Sequence, residues 1–315
     1  MNIQNKVIGS LIGLAVGDAL GCTGEFKVRD SYPLITDMVG GGAFNLKPGE
    51  WTDDTSMAYA LGDSIRTTGF DPHAQLKCYA DWYQNGAYSS TGQCFDIGVS
   101  TATAIRNWIK ERKIVNNDDF LSCGNGSIMR LAPVAIHYCT SESFSPQYIE
   151  FLNKLRESSI TTHAYQTPVD ACVGLGVIMN RMFYLDDKQT CLDFHCYPTD
   201  MYGIMDEDIA KVLEGSYLTK KRSEIKSTGY CVDTLEAALW CFQMTRSFKE
   251  AVLLAANLGD DADTVAAVTG QIAGAFYGYS AIPSEWLVVL AQEQDLVQLA
   301  KDLYKKSPYS YDERI

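Results

Sequence analysis

The sequence is short of positive charge. It has 26 Lys and Arg against 39 Asp and Glu in 315 residues, a formal net charge of −13. Nucleic-acid binding needs clustered Lys and Arg to neutralise phosphates, so a basic groove is not expected, and an acidic balance suits a protein that concentrates cations. No run of 18 uninterrupted apolar residues occurs, so no membrane span is expected. The ten cysteines form no CxxC pair and no regular spacing. Cys191 and Cys196 flank His195, but the two further ligands a zinc site needs are missing, and reduced cytoplasmic thiols are the simpler account. Alternating strand patterns, repeats and a Pro/Ser-rich linker are also absent. There is no P-loop lysine and no GxGxxG, and Ser127 lies in no nucleophile-elbow sequence, which leaves nucleotide-fold and serine-hydrolase readings without support.

What is present is helical periodicity. Hydrophobic residues make up 46% and charged residues 21%, an ordinary globular profile. Helices are expected at 5–20, 53–68, 96–112, 168–184, 264–278 and 284–306. Asp71 followed by Pro72 marks one helix start, and Ser247 with Glu250 forms a capping-box pattern at another. The N-terminal "VIGSLIGLAVGDALGC" ends like a lipoprotein cleavage site, but Asp18 interrupts the apolar run, and a buried helix is the preferred reading. Gly270, Gly274 and Gly278 recur every four residues, which suggests close packing of buried helices. Residues 186–226 are more polar and less periodic, and read as a surface excursion from one all-α domain spanning 1–315.

Two acidic clusters share one grammar. "WTDDT" holds Thr52, Asp53, Asp54 and Thr55, and "GDDADT" holds Asp260, Asp261, Asp263 and Thr264. Each precedes an apolar-faced helix. One Asp per helix would serve as a cap. Two or three exceed that need, because adjacent buried carboxylates repel and raise each other's pKa. A bound cation removes the repulsion, and carboxylate and hydroxyl donors suit Mg²⁺, Mn²⁺ or Ca²⁺. Spacing alone leaves both readings, metal cage and helix caps, open. Other features are weaker one by one. Glu25 reads as a loop residue and Asp96 as an N-cap. "CGNGSIMRLAP" is a turn able to present N–H groups to a phosphate, and His163 is a lone histidine.

Taken in order, "GDALG…EF", "GGGAFNLKPGEWTDDTSMA", "CFDIG", "GNGSIMRLAPVA", "TTH", "GYCVDTLEAALW" and "NLGDDADTVAAVTGQIAGAFYG" resemble the ADP-ribosylglycohydrolase family. The likeness is greatest to the branch typified by the dinitrogenase reductase-activating glycohydrolase, and runs from about residue 6 to 290. The resemblance implies an all-α, orthogonally packed helical fold with a binuclear metal cleft and two divalent cations, Mg²⁺ or Mn²⁺. Thr52, Asp53, Asp54, Asp261, Asp263 and Thr264 are the implied ligands, with Asp260 left outside them. It implies Asp96 as partner of an arginine guanidinium, with Glu25 as second candidate acid/base. Asn125, Gly126, Ser127 and Met129 would form the diphosphate and ribose cradle, with His163 beside it and Tyr230 stacked on adenine. Two departures stand out. Cys22-Thr23-Gly24 replaces a Pro-containing turn before Glu25, which suggests a more mobile loop, and Val99 replaces a frequent polar residue. The expected activity is metal-dependent hydrolysis of the bond between ADP-ribose and an arginine of a modified protein, releasing ADP-ribose, by a cytoplasmic monomer. A serine-linked or O-acetyl-ADP-ribose substrate, or a non-catalytic ADP-ribose-binding protein, are the alternatives.

Overall fold

The computed structural model describes residues 2–114, 122–194 and 199–309, and among these no strand is found, only two isolated bridges, Gly41–Leu46 and Gly124–Tyr230. The helices are α1 (Ile3–Gly21), α2 (Asp53–Thr68), α3 (Pro72–Asn85), α4 (Val99–Glu111), α5 (Ala132–His137), α6 (Pro146–Ile160) and α7 (Gln166–Tyr184). They continue as α8 (Lys188–Leu192), α9 (Glu207–Leu213), α10 (Cys231–Gln243), α11 (Phe248–Ala256), α12 (Ala262–Tyr277), α13 (Ser284–Val289) and α14 (Glu293–Lys305). No described helix is long and apolar enough to cross a membrane.

The centre of the fold is the antiparallel pair α1 and α12. Both are buried over nearly their whole length, as helices without a polar face must be. They meet through small residues four apart, which stack on one helix face. A Cβ on Gly13 would lie 2.2 Å from the Gly270 carbonyl oxygen, and one on Gly270 would lie 1.9 Å from that of Gly13. Gly274 faces the Gly9 carbonyl in the same way, at 1.9 Å, and Gly17 faces that of Ala266, at 2.0 Å. The backbones therefore touch directly. This brings the C-terminal end of α1 against the first turn of α12, where a Cβ on Gly21 would lie 2.4 Å from Asp263 Cα. The glycine stripe read in α12 is thus half of a two-helix seam. Its third member, Gly278, is the C-cap of α12, with φ +79°, and still meets α1: a Cβ on Gly9 would lie 2.6 Å from the Gly278 carbonyl carbon.

A buried cation closes the far end of α1. Lys6 Nζ donates to the Met182 and Leu185 carbonyls, each at 2.7 Å, and pairs with Asp186 at 2.7 Å. These are carbonyls at the C-terminus of α7, where the helix dipole favours positive charge. The predicted cap at Asp71 forms, with its carboxylate accepting from His73 N–H at 2.9 Å. The capping box is half made. Ser247 Oγ accepts from Glu250 N–H, but Glu250 Oε2 accepts from Arg246, one residue too early.

Three expectations need correction. The helix expected at 96–112 starts at Val99 with Gly98 as N-cap, so Asp96 caps nothing and instead adopts φ +60°. The helix expected at 284–306 breaks into α13 and α14, with Gln292 at φ +51°. The cause is tertiary: Ala291 N–H donates to the Gly49 carbonyl and the Ala291 carbonyl accepts from Trp51 Nε1. The described part of residues 186–226 is polar outside but packed beneath. Ile209, Val212, Leu213, Tyr217 and Ile225 are buried, and Leu213 packs on Gly174 of α7. The nine described cysteines are free thiols. His195 and Cys196 lie outside the described residues.

Candidate active site

Five segments bring carboxylates to one place: the end of α1, the starts of α2 and α12, and the two loops carrying Glu25 and Asp96. The α1–α12 seam sets the first and third. Asp18 joins the second to them. Its Oδ1 accepts from the N–H and the hydroxyl of Thr52, and its Oδ2 from the N–H and hydroxyl of Thr55, at 2.6–3.0 Å. Thr52 is the N-cap residue of α2, yet its own side chain makes no cap bond. A carboxylate from another helix caps α2 in its place.

Within the cleft, Thr52 Oγ1 lies 3.3 Å from both Asp54 Oδ2 and Asp263 Oδ2, and Thr264 Oγ1 lies 3.4 Å from Asp54 Oδ2. Asp54 and Asp263 are buried, as are Asp53 and Glu25, while Asp96 is half-buried. Asp261 accepts from Asn125 Nδ2 at 2.6 Å, and its own N–H donates to the Ser227 carbonyl. The carboxylates group as Asp18–Asp54–Asp263 and Glu25–Asp96–Asp263, with oxygens in each group within 4.8 Å of one another. Asp263 is common to both.

Burial, followed by mutual repulsion, pushes Asp53, Asp54 and Asp263 well above the usual carboxylate range. Burial likewise raises Asp18 and Asp261. Glu25 is pushed up to about 10, first by burial and then by the Asp96 charge, and Asp96 is pushed up to about 7 by burial. Asp54 Oδ1, Asp263 Oδ1 and Glu25 Oε2 are buried with no hydrogen-bond partner. Buried acceptors are rarely left in that state. An all-oxygen donor set with orphaned carboxylate oxygens fits hard divalent cations. Asp18 belongs behind that set, since each of its oxygens already accepts two hydrogen bonds.

The loops around the cleft are tied down. Thr23 Oγ1 donates to the Gly40 carbonyl, and Lys27 Nζ to the Thr23 carbonyl. Phe26 N–H donates to the Asp260 carbonyl, and Asp260 N–H to that of Lys27. Cys22-Thr23-Gly24 therefore does not leave the Glu25 loop free, and Asp260, itself exposed at φ +54°, serves as its backbone anchor. Phe26, Phe44 and Phe95 interlock at ring-centroid distances of 6.3 and 5.0 Å, joining the Glu25 loop to the Asp96 loop. Val99 is exposed beyond them.

The "GNGS" turn lies against Asp261. Both amide hydrogens of Asn125 are engaged, one by Asp261 and one by Thr234 Oγ1. Ser127 and Met129 are buried, with Ser127 Oγ accepting from Ser159. His163 is buried beneath Gly126, where a Cβ would come within 2.7 Å of its ring. Burial and the Arg130 charge push its imidazole down to about 3. Tyr230 is half-buried at the start of α10, bridged to Gly124. The residue the sequence reading missed is Asp18. The available signal was a carboxylate inside the apolar stretch of α1 that follows Lys6, which demands a buried partner.

A buried all-oxygen acidic cluster on a helical scaffold is a site able to hold divalent cations. The profile of the ADP-ribosylglycohydrolase family matches residues 1–313. The chain is 41% identical to the ADP-ribosylarginine hydrolase Tri1 of Serratia proteamaculans, over 96% of this chain and 80% of that protein. It is 28% identical to the ADP-ribosyl-[dinitrogen reductase] glycohydrolase of Rhodospirillum rubrum, over 91% of this chain and 90% of that protein. A solved structure titled "ADP-ribosylglycohydrolase-related protein complex" superposes with a TM-score of 0.84 at 35% identity, covering 97% of this chain and 99% of that one. The chain belongs to the ADP-ribosylglycohydrolase family and is an enzyme of that class.

Proposed function

We propose that the enzyme hydrolyses the N-glycosidic bond between ADP-ribose and an arginine side chain of a modified protein, reversing mono-ADP-ribosylation. The observation that carries this reading is Asp96. Its carboxyl is half-exposed and grouped with those of Glu25 and Asp263, their oxygens within 4.8 Å of one another. A carboxylate presented this way can grip a guanidinium with two parallel hydrogen bonds. The 41% identity to a protein named as an ADP-ribosylarginine hydrolase supports the same substrate.

In this reading Thr52, Asp53, Asp54, Asp261, Asp263 and Thr264 hold two divalent cations, Mg²⁺ or Mn²⁺. Cations held there would supply Lewis acidity toward sugar oxygens and water. The chain's own groups do the rest. Asp18 fixes Thr52, Asn125 fixes Asp261, and the turn at Gly126 offers backbone N–H groups to the diphosphate. Ser127, Met129 and His163 shape that turn from beneath, and Tyr230 is the stacking surface for adenine. The water oxygen bonds to the ribose carbon as the carbon–nitrogen bond breaks. Guanidine leaves well only when protonated. A proton held by Glu25 or Asp96 passes to the leaving nitrogen, and the carboxylate so formed takes up the proton that water loses. The ring charge that develops in an oxocarbenium-like state faces the surrounding carboxylates. The same reading has one domain, which a single contiguous buried core supports, acting as a cytoplasmic monomer.

The test is release of ADP-ribose from arginine-linked and serine-linked substrates in Mg²⁺ or Mn²⁺. Release from arginine alone is expected. Equal release from serine would overturn the linkage, and release from neither would leave a binding protein.

A further inference from the structure

The segments that carry Glu25 and Asp261 also wall a surface feature outside the cleft. Val28, Arg29 and Asp30 on one side, with Asp260 at the cleft end, face residues 221–228 across a depression of about 710 Å³. Its floor is preformed. Arg29 donates to the carbonyls of Leu258, Arg222 and Ile225 and to Ser227 Oγ, at 2.5–3.2 Å, so its guanidinium is a strut between three loops. Arg222 grips Asp30 with two bonds of 2.8 Å, and that pair cancels in charge. Lys221 and Lys226 remain exposed in the basin, with Asp260 at its cleft end as the opposing charge. The surplus is positive, against the trend of a chain with net charge −13.

A second depression, of about 440 Å³, shares Asp30 and Arg222 with the first. The rest of it is largely aliphatic: Leu34, Ile35, Leu253 and Leu254. Leu34 is 72% exposed, an unusual position for a leucine with nothing over it. Outward from the cleft the order is therefore carboxylates, a positive basin, a neutral Arg222–Asp30 saddle, and an apolar basin.

We infer that this two-part groove docks the polypeptide that carries the ADP-ribose, taking an acidic residue near the modified side chain and an aliphatic residue beyond it. The inference rests on the reading that the substrate is a modified protein. Two features commit the groove to that occupant. Its wall includes Asp260, the chain neighbour of Asp261 in the cleft, so the groove lies beside the site that would hold the modified side chain. Its charge also complements an acidic segment.

The probes are synthetic peptides carrying one ADP-ribosylarginine, with Glu and Leu at neighbouring positions or with Ser at both, and free ADP-ribosylarginine. The variant is Lys221→Glu/Lys226→Glu, with Leu34→Ser as a separate change; all three residues are exposed, so folding is spared. The Glu/Leu peptide is expected to show a KM roughly tenfold below that of the Ser peptide, and charge reversal to raise it roughly tenfold. The kcat on free ADP-ribosylarginine stays unchanged. Equal KM for both peptides, or equal slowing of the free compound, overturns the inference, as does light scattering that shows a wild-type dimer dissolved by the reversal. Failure to cleave free ADP-ribosylarginine would instead refute the linkage. Anisotropy of the fluorescein-labelled, unmodified Glu/Leu peptide then decides the groove: roughly tenfold weaker binding by the variant supports it, and unchanged binding overturns it.

Discussion

Asp18 Oδ1 accepts both the backbone N–H and the hydroxyl of Thr52, each at 2.9 Å. A residue of α1 thereby aims a hydroxyl of the α2 cap at Asp54 and Asp263. Asp18→Asn is expected to weaken divalent-cation binding by roughly 10- to 100-fold, the usual effect of losing the partner that orients a ligand. Folding stability should fall by about 1–3 kcal/mol, since an amide oxygen cannot replace four carboxylate bonds. Isothermal titration with Mn²⁺ and urea melts read the two effects separately. Unchanged affinity in the folded variant would exclude the orienting role.

The α1–α12 seam leaves no room for a methyl group. Gly270→Ala places a Cβ 1.9 Å from the Gly13 carbonyl, and backbone cannot yield as a side chain tip can. A loss of about 3 kcal/mol or more in urea unfolding is expected. Because the seam also sets Asp18 against Asp263, any folded fraction should bind cations poorly.

Cation binding should show first in stability. At a hundredfold excess over its dissociation constant, Mg²⁺ or Mn²⁺ is expected to add about 2.7 kcal/mol, reversed by EDTA. Asp54→Ala and Asp261→Ala should abolish turnover with the fold intact. Asp263→Asn should lose the cation-dependent gain, yet melt at or above wild type in EDTA, because it relieves crowding around Asp54 and Glu25. A cation-dependent gain retained in Asp263→Asn would refute the cage.

His163 predicts a pH dependence. Its folded-state pKa is pushed down to about 3, below the ordinary value of 6.5. The unfolded chain takes up a proton below 6.5 that the folded chain refuses, so the contribution is present above that pH and lost as pH falls. The slope is about 1.4 kcal/mol per pH unit at most. His163→Gln should flatten that part of the wild-type stability curve between pH 6 and 4, measured by urea melts across pH.

Asp96→Asn tests the chemistry. Asparagine tolerates φ +60° well, so the loop should hold its shape. The kcat on ADP-ribosylarginine is expected to fall by roughly 10²- to 10⁴-fold, the usual range for a positioned acid or base. Cation affinity should change little; a parallel loss of affinity would make Asp96 a ligand instead.

Helix identity and the carboxylates of "TDDT" and "GDDADT" were legible in the sequence because both depend on local spacing. Period-3.6 patterning marks a helix wherever it occurs, and adjacent buried carboxylates signal a missing counter-charge. The break between α13 and α14 was not legible, since Gly49 and Trp51 impose it from about 240 residues away. The buried underside of residues 186–226 was masked by the polarity of its outer face. Asp18 looked like an interruption of α1, because its partners lie 34 and 37 residues further on.

The sequence by itself determined an all-helical chain, two acidic helix starts, and a family likeness carried by seven motifs in order. Only the tertiary structure decided that the helix starts converge, that Asp18 braces one of them, and that Asp260 anchors a loop while Asp261 and Asp263 enter the cleft. Periodicity along a chain fixes which face of a helix is apolar. Which carboxylates share a space depends on contacts between helices, and here on two backbones that meet where glycine leaves the side chain out.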